Sequence, residues 1–278
     1  MIIVYIIWIV VLACAGSAVL PATLRFLRQH GLTAANYAGD NIPVGSGAVL
    51  ALLFALLHTI AELTAASGLW MDTAAVIRGN TAAFLLVFAA GWIDDSIGDR
   101  AVKGFGGHWR QWRETRTPST GAIKAGVIGI AAFWIVTRYS SNWAEGLLDW
   151  VTIVLAANAV NLLDVRPGRA WKSFYLGAAI LLAAKPEGAS IIWLLPSAAG
   201  GIALMPGDLR GKHMLGDCGS NLLGFALGCS LAVAAPIWLQ GPALAVLAAM
   251  HRTAEKSSIT AWIERHRWVR WLDRFGRV

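Results

Sequence analysis

Residues 2–20 read IIVYIIWIVVLACAGSAVL, a stretch without a single charged side chain. A helix of about 20 apolar residues crosses the ~30 Å hydrocarbon core of a bilayer, so this stretch predicts a transmembrane helix. The rest of the chain has the same character, because 57% of its 278 residues are hydrophobic and only 14% are charged. This composition excludes an ordinary soluble domain and predicts a polytopic membrane protein.

Apolar segments of similar character recur along the whole chain. They predict an all-α fold, a polytopic bundle of about nine transmembrane helices. The segments are residues 2–20, 46–68, 76–93, 121–137, 147–163, 173–184, 190–206, 218–235 and 240–251. The sixth and ninth segments are the shortest, so the number of crossings has to be tested by charge.

The basic residues determine the predicted orientation. With the N-terminus outside and nine crossings, all but three of the 23 Lys and Arg residues lie in the cytoplasm, which the positive-inside rule favours. The three exceptions are Arg78, Arg138 and Lys185. If the sixth segment did not cross, Arg210, Lys212 and the basic C-terminal residues would lie outside. The net charge of +7 then reflects topology and attraction to anionic lipid or phosphate, and it requires no nucleic acid as partner.

Two parts of the chain differ in composition. Residues 1–256 form a transmembrane domain that contains every candidate site residue, and residues 257–278 form a cytoplasmic tail. Apolar side chains recur in the tail at helical intervals among arginines, which predicts an amphipathic helix on the inner membrane surface or, alternatively, a lid over a site. These side chains are Ile259, Trp262, Ile263, Val269, Leu272 and Phe275.

Two adjacent carboxylates end the third apolar segment, in the stretch GWIDDSIG at residues 91–98. Neighbouring residues of a helix differ by about 100° in direction, so Asp94 and Asp95 cannot face the same group. One is expected to face a metal or a phosphate while the other orients a second group. The alternative is a pair of helix-end carboxylates in interfacial water, although acidic pairs beside lipid usually serve a function.

Three polar residues share one helical face near the end of the fifth segment. Asn158, Asn161 and Asp164 are spaced three apart, which places them within about 120° of arc. Inward-facing amides can bind a uracil or a sugar by hydrogen bonds, and they can equally join helices inside the membrane. The spacing alone leaves both interpretations open.

Five further residues are candidate phosphate ligands. Arg166, Arg169 and Lys172 are also spaced three apart, which suits a diphosphate clamp, although the positive-inside rule explains the same charges. Lys124, inside the fourth segment, either reaches the phosphate site or extends to lipid headgroups. His251, at the start of the C-terminal region, either binds phosphate or is solvated at the interface.

A glycine-rich turn runs into the eighth segment as MLGDCGSNLLG, residues 214–224. Its glycines allow close approach of a ligand, the start of the helix offers unpaired N–H groups, and Asp217 supplies a hard oxygen for Mg²⁺. The turn therefore predicts a site for a metal-bound phosphate at the same side of the membrane as the other acidic residues.

These blocks, in this order, resemble the polyprenyl-phosphate N-acetylhexosamine-1-phosphate transferases. This superfamily contains phospho-N-acetylmuramoyl-pentapeptide translocase and the initiating GlcNAc-1-phosphate transferases. The stretch NYAGDNIPVGSG at residues 36–47 resembles the first cytoplasmic loop of the family, so the resemblance covers residues 36–224.

The resemblance implies a multi-pass enzyme of the bacterial inner membrane with a cytoplasmic active site. Its donor would be a UDP-sugar that carries an N-acetylhexosamine, and its acceptor would be undecaprenyl phosphate. UMP would be released, and the product would initiate a cell-envelope glycan. Mg²⁺, or Mn²⁺ in its place, would be held by Asp217 and Asp94, with Asp95 also catalytic. The resemblance places Asn161 and Asp164 near the nucleotide, and Lys124 near the diphosphate.

This sequence departs from the family pattern in three places. Asp164 is followed by Val165-Arg166-Pro167-Gly168, so a second carboxylate of the family is missing. The histidine cluster is reduced to His251, alone or with His266 of the tail, and a final tenth span is absent. The run of Arg166, Arg169 and Lys172 would offset the lost acid by binding diphosphate. The alternative function is a non-catalytic binder or transporter of polyprenyl phosphate, and the sequence leaves a homodimer open.

Overall fold

The computed structural model describes residues 2–98, 112–184 and 192–277. Lys185 and the first residues of the predicted segment 190–206 lie outside these ranges. The helices are α1 (Ile2–Gln29), α2 (Ala48–Ala66), α3 (Met71–Ile97), α4 (Thr120–Tyr139), α5 (Trp143–Leu163), α6 (Arg169–Ala183), α7 (Leu194–Leu209), α8 (Gly216–Ala234), α9 (Ile237–Lys256), α10 (Ile259–Arg265) and α11 (Arg267–Arg274). The structure is nearly all-α, as predicted, with one short antiparallel hairpin of β1 (Thr33–Ala35) and β2 (Asn41–Pro43).

Within the described ranges, six helices are long and apolar enough to cross a membrane, namely α1, α2, α3, α4, α5 and α8. Large apolar side chains such as Ile130 and Phe133 are exposed on their outer faces, where lipid rather than water suits them. The chain is therefore a membrane-embedded helix bundle. Helices α6, with 15 residues, and α7, with 16, are shorter, so the count of nine crossings and the orientation stay predictions.

Helix α8 lies at the centre of the bundle. In its apolar stretch 78% of the residues are buried, against 17% in α1. Small residues allow α5 to approach it closely: a Cβ atom on Gly224 would lie 2.7 Å from the Cα of Ala157, and one on Gly228 would lie 2.8 Å from the Cβ of Ala156. The middle turns of α8 are consequently packed tightly against α5.

The hairpin and the turn before α2 pack against the start of α8. The backbone N–H of Met214 donates to the carbonyl of Pro43 (2.8 Å), and the N–H of Ser46 donates to the carbonyl of Met214 (3.1 Å). A side chain on Gly47 would clash with the Cα of Gly219, so only glycine allows this contact. The stretches 36–47 and 214–224, far apart in the chain, thus form one end of the bundle.

Candidate active site

Two carboxylates and one ammonium group meet at the first turn of α8. The Lys124 Nζ donates to Asp94 Oδ2 at 2.6 Å and also contacts Asp217 Oδ2. Lys124 and Asp94 are largely buried, whereas Asp217 remains about a third exposed at 33%. We call these three residues the Asp–Lys–Asp cluster.

Each member of the Asp–Lys–Asp cluster is positioned by a helix end. Ser119 caps α4 by accepting a hydrogen bond from the N–H of Ala122 (3.2 Å), so Lys124 projects from the first turns of that helix. The cluster therefore joins the C-terminal end of α3 to the N-terminal ends of α4 and α8.

Asp95 faces the backbone of α8 instead of the cluster. Its two oxygens accept hydrogen bonds from the N–H groups of Asp217 (2.8 Å) and Cys218 (2.9 Å), which otherwise lack partners at a helix start. This contact requires Gly91, because a Cβ atom there would lie 2.5 Å from the Cα of Cys218. Asp95 thus holds the helix turn that presents Asp217, which is a positioning role.

The predicted amide face is divided between two sets of contacts. Asn161 Oδ1 lies 3.0 Å from the Ser220 hydroxyl, on α8. Asn158 Nδ2 donates to His251 Nε2 at 2.9 Å, and His251 Nδ1 lies 2.8 Å from the carbonyl of Leu247. The pair of Asn158 and His251 joins α5 to α9, which favours the helix-joining interpretation for both residues.

A cleft of about 260 Å³ opens beside the start of α8. It lies between the β-hairpin, the loop that follows α5, the end of α7 and the residues before α8. Its polar lining consists of Asn36, Tyr37, Asp164, Arg166, Asp208 and His213. Arg166 stacks over the ring of Tyr37, with the guanidinium carbon 5.3 Å from the ring centre.

Two carboxylates give this cleft an acidic floor. Burial raises the pKa of Asp208 to about 6, although the Gly168 N–H donates to its Oδ2 at 2.8 Å and favours the charged form. Burial and the charges of Asp208 and Asp217 raise the pKa of Asp164 well above its ordinary range. A raised pKa means that these carboxyls bind a proton more readily than ordinary aspartates, so the floor opposes an anionic ligand less than two full negative charges would.

His213 brings a buried imidazole to the cleft. It is 2% exposed, and its Nδ1 lies 3.0 Å from the Ser46 hydroxyl, which itself donates to the carbonyl of Met214. The Nδ1 therefore carries the proton, and the Nε2 has no hydrogen-bond partner in the part of the chain that the structure describes. Burial lowers the pKa of His213 to about 4, so the ring is neutral at physiological pH.

The three predicted clamp cations face different directions. Arg166 lines the cleft, whereas Arg169 forms a nearly completely buried ion pair with Asp273 of α11, at 2.6 and 2.9 Å. The Lys172 Nζ donates to the backbone carbonyl of Asp273 at 2.7 Å. The contacts of Arg169 and Lys172 thus give no support to their predicted diphosphate role, because both side chains hold the tail.

The chemistry of the Asp–Lys–Asp cluster suits a magnesium phosphate. Among residues 2–98, 112–184 and 192–277, no three His, Cys, Asp or Glu side chains are grouped so that they could hold a metal by themselves. Mg²⁺ commonly binds one or two carboxylates and completes its shell with water and substrate phosphates. Asp94 and Asp217 fit that pattern, because Lys124 already shows that one cation is held between them.

Four polar lining residues of the cleft were not selected from the sequence: Asn36, Tyr37, Asp208 and His213. Asp208 follows an apolar segment and precedes Arg210, just as Asp94 ends one, so the same argument would have found it. The other three offer no comparable signal, since their neighbours in the cleft come from distant parts of the chain.

No protein-family model matches the chain, and no curated protein is significantly similar to it.

Proposed function

We propose that this protein transfers a sugar-1-phosphate, with N-acetylhexosamine-1-phosphate as the leading candidate, from a UDP-sugar to undecaprenyl phosphate. UMP is released, and the product initiates a cell-envelope glycan. The observation that carries the proposal is the Asp–Lys–Asp cluster at the first turn of α8, beside the cleft. The family resemblance of the stretches that build the cluster supports the same activity.

The charges of the site are suited to two anionic substrates only when a divalent cation takes part. Asp94 and Asp217 carry two negative charges against the single positive charge of Lys124. When bound between Asp94 and Asp217, Mg²⁺ would supply the charge neutralisation that phosphoryl transfer requires.

Individual residues then take the following roles. Lys124 contacts the diphosphate and stabilises its negative charge. Arg166 lines the cleft together with Asp164 and is placed to contact the nucleotide, with Tyr37 beneath its guanidinium. Asp95 keeps the turn in position through its two backbone hydrogen bonds.

The reaction balances without an external base. An oxygen of the lipid phosphate, which is largely ionised near neutral pH, attacks the β-phosphorus of the UDP-sugar and forms a new P–O bond. The bond between the β-phosphorus and the bridging oxygen breaks, and UMP leaves with the electron pair. Catalysis is then mainly positioning and electrostatic stabilisation, which are what fixed helix ends supply.

The positive-inside pattern supports a cytoplasmic location for this end of the bundle, where UDP-sugars would reach it. A second candidate function is a binder of polyprenyl phosphate without transferase activity. One contact favours it: the Lys124 ammonium lies between Asp94 and Asp217, so the two carboxylates already have a cationic partner without a metal.

Release of UMP distinguishes the two functions. We expect purified protein with undecaprenyl phosphate, Mg²⁺ and a panel of UDP-sugars to release UMP, and Asp217→Asn to lower the rate by about 10²–10³-fold, as for the loss of a key electrostatic group. Asp72→Asn is a matched control, because Asp72 is an exposed carboxylate in the first turn of α3. Lipid phosphate binding without UMP from any UDP-sugar would establish the binder instead, and full activity of Asp217→Asn would reject the assigned site.

A further inference from the structure

The tail carries an apolar stripe on the outside of α11. Trp268, Trp271, Leu272 and Phe275 follow the spacing i, i+3, i+4 and i+7, which puts them on one helical face. All four are exposed, with Trp268 at 83% and Phe275 at 66%. Nothing in the described part of the chain covers this stripe.

Arginines lie beside the stripe. The tail has five arginines and two carboxylates, and both carboxylates are already engaged: Glu264 pairs with Arg274, and Asp273 pairs with Arg169 and Arg277. Arg265 and Arg267 are exposed and have no carboxylate partner within residues 2–98, 112–184 and 192–277. An aromatic stripe next to unpaired arginines is complementary to the surface of an anionic bilayer, where Trp lies at headgroup level.

The inner side of the tail is tied to the loop that lines the cleft. Besides its ion pair with Asp273, Arg169 donates through Nη1 to the Thr260 hydroxyl of α10 at 2.8 Å. Arg277 donates to the carbonyl of Pro167 at 2.8 Å. The next residue, Gly168, donates its N–H to Asp208 of the cleft.

We propose that the tail docks on anionic phospholipid headgroups through its aromatic stripe and free arginines, and that docking stabilises the cleft loop, residues 164–168. The Arg169–Asp273–Arg277 network transmits the effect, because it joins the docked helix to both Pro167 and the start of α6. This inference concerns the tail and its lipid, and it stands whether or not the bundle transfers a sugar phosphate.

Hydrogen exchange of the full chain in lipid nanodiscs tests the proposal. We compare nanodiscs of phosphatidylcholine alone with nanodiscs in which about a third of the lipid is phosphatidylglycerol, and we expect exchange of residues 259–275 to slow about fivefold or more in the anionic lipid. Exchange of residues 165–172 should slow in parallel, because the network connects them to the tail. Raising the salt concentration should reduce both effects.

Two matched double variants distinguish docking of the tail from a general effect of the protein's positive charge. Arg265→Gln with Arg267→Gln should abolish the lipid dependence, whereas Arg25→Gln with Arg28→Gln, which removes two exposed arginines from α1, should preserve it. Equal exchange of the wild-type tail in both lipids would overturn the proposal without reference to any variant. Slowing of the tail without slowing of residues 165–172 would overturn the connection to the cleft. The exchange measurement uses no UDP-sugar, so its result is independent of the transferase assay.

Discussion

The contact between α3 and α8 at Gly91 makes a quantitative prediction for Gly91→Ala. The added Cβ atom would lie 2.5 Å from the Cα of Cys218 and 2.6 Å from the carbonyl oxygen of Asp217. These are backbone atoms that cannot rotate away, so the two helices must separate by about 1 Å to reach ordinary contact distances. The hydrogen bonds from α8 to Asp95, now 2.8 and 2.9 Å long, would then exceed hydrogen-bonding range.

The expected cost follows from these changes. Overpacking of a close contact costs about 1–3 kcal/mol, and the loss of hydrogen bonds to a charged group costs about 1.5–3 kcal/mol. Replacing Gly by Ala within a helix stabilises the helix by about 1 kcal/mol, which offsets part of this cost. We therefore expect Gly91→Ala to lower the free energy of unfolding by about 1.5–5 kcal/mol, and to lower UMP release because Asp217 shifts with the helix start.

Gly126→Ala is the matched control, since Gly126 also lies inside a helix of the bundle but an added Cβ atom there meets nothing within 4 Å. It should leave the free energy of unfolding unchanged or raise it by up to about 1 kcal/mol. Both variants are compared with wild type by unfolding in mixed micelles, followed by tryptophan fluorescence. If Gly91→Ala is as stable as Gly126→Ala, the close contact at the start of α8 is wrong.

Three further predictions concern charge. Because the pKa of Asp208 is raised to about 6, its burial favours the folded state at low pH, and that advantage is lost as pH rises through about 6. Raising a pKa from 3.8 to about 6 corresponds to a free energy of about 3 kcal/mol, so Asp208→Asn should be more stable than wild type at pH 8 by up to that amount. If the variant and wild type are equally stable at both pH 5 and pH 8, the raised pKa of Asp208 is wrong. Burial alone would raise the pKa of Asp273, but Arg169 and Arg277 outweigh it and lower that pKa, so the tail should stay attached above pH 3.8 and be released as pH falls below it. Limited proteolysis of the tail between pH 3 and 7 measures this, and release already at pH 6 would refute it. Lys124→Met should bind Mn²⁺ at least about tenfold more tightly without substrate, because the ammonium no longer competes between the two carboxylates, while UMP release falls. Electron paramagnetic resonance of Mn²⁺ gives the affinity, and unchanged binding would show that the carboxylates do not hold the ion.

Much of the fold could be predicted from local pattern. Apolar segments of helical length imply membrane helices, because an unpaired backbone cannot be left in lipid. The described helices α1 to α9 overlap the nine predicted segments, and the tail is helical as expected. The hairpin was not predicted, since its strands of three residues are too short to show a period.

The candidate site was predictable in part. A carboxylate at the edge of an apolar segment is costly, so Asp94, Asp95 and Asp217 could be selected from the sequence. Which of the adjacent pair faces Lys124 could not be selected, because this depends on the rotation of α3 against α8 at Gly91. The same limit applies to Arg169, whose partner Asp273 lies 104 residues further along the chain.

The sequence by itself determined that this protein is embedded in a membrane and which chemical groups it has available. These are apolar helices that suit lipid, acidic and basic side chains at the ends of those helices, and an aromatic, arginine-rich tail. Only the tertiary structure decided which of these groups meet. It brought Asp94, Lys124 and Asp217 together, assigned Asp95 to the backbone of α8, and gave Arg169 and Lys172 to the tail. The physical reason is that composition and hydrophobic period describe one helix at a time. Which side chains become partners depends on how helices that are distant in the sequence rotate and approach one another.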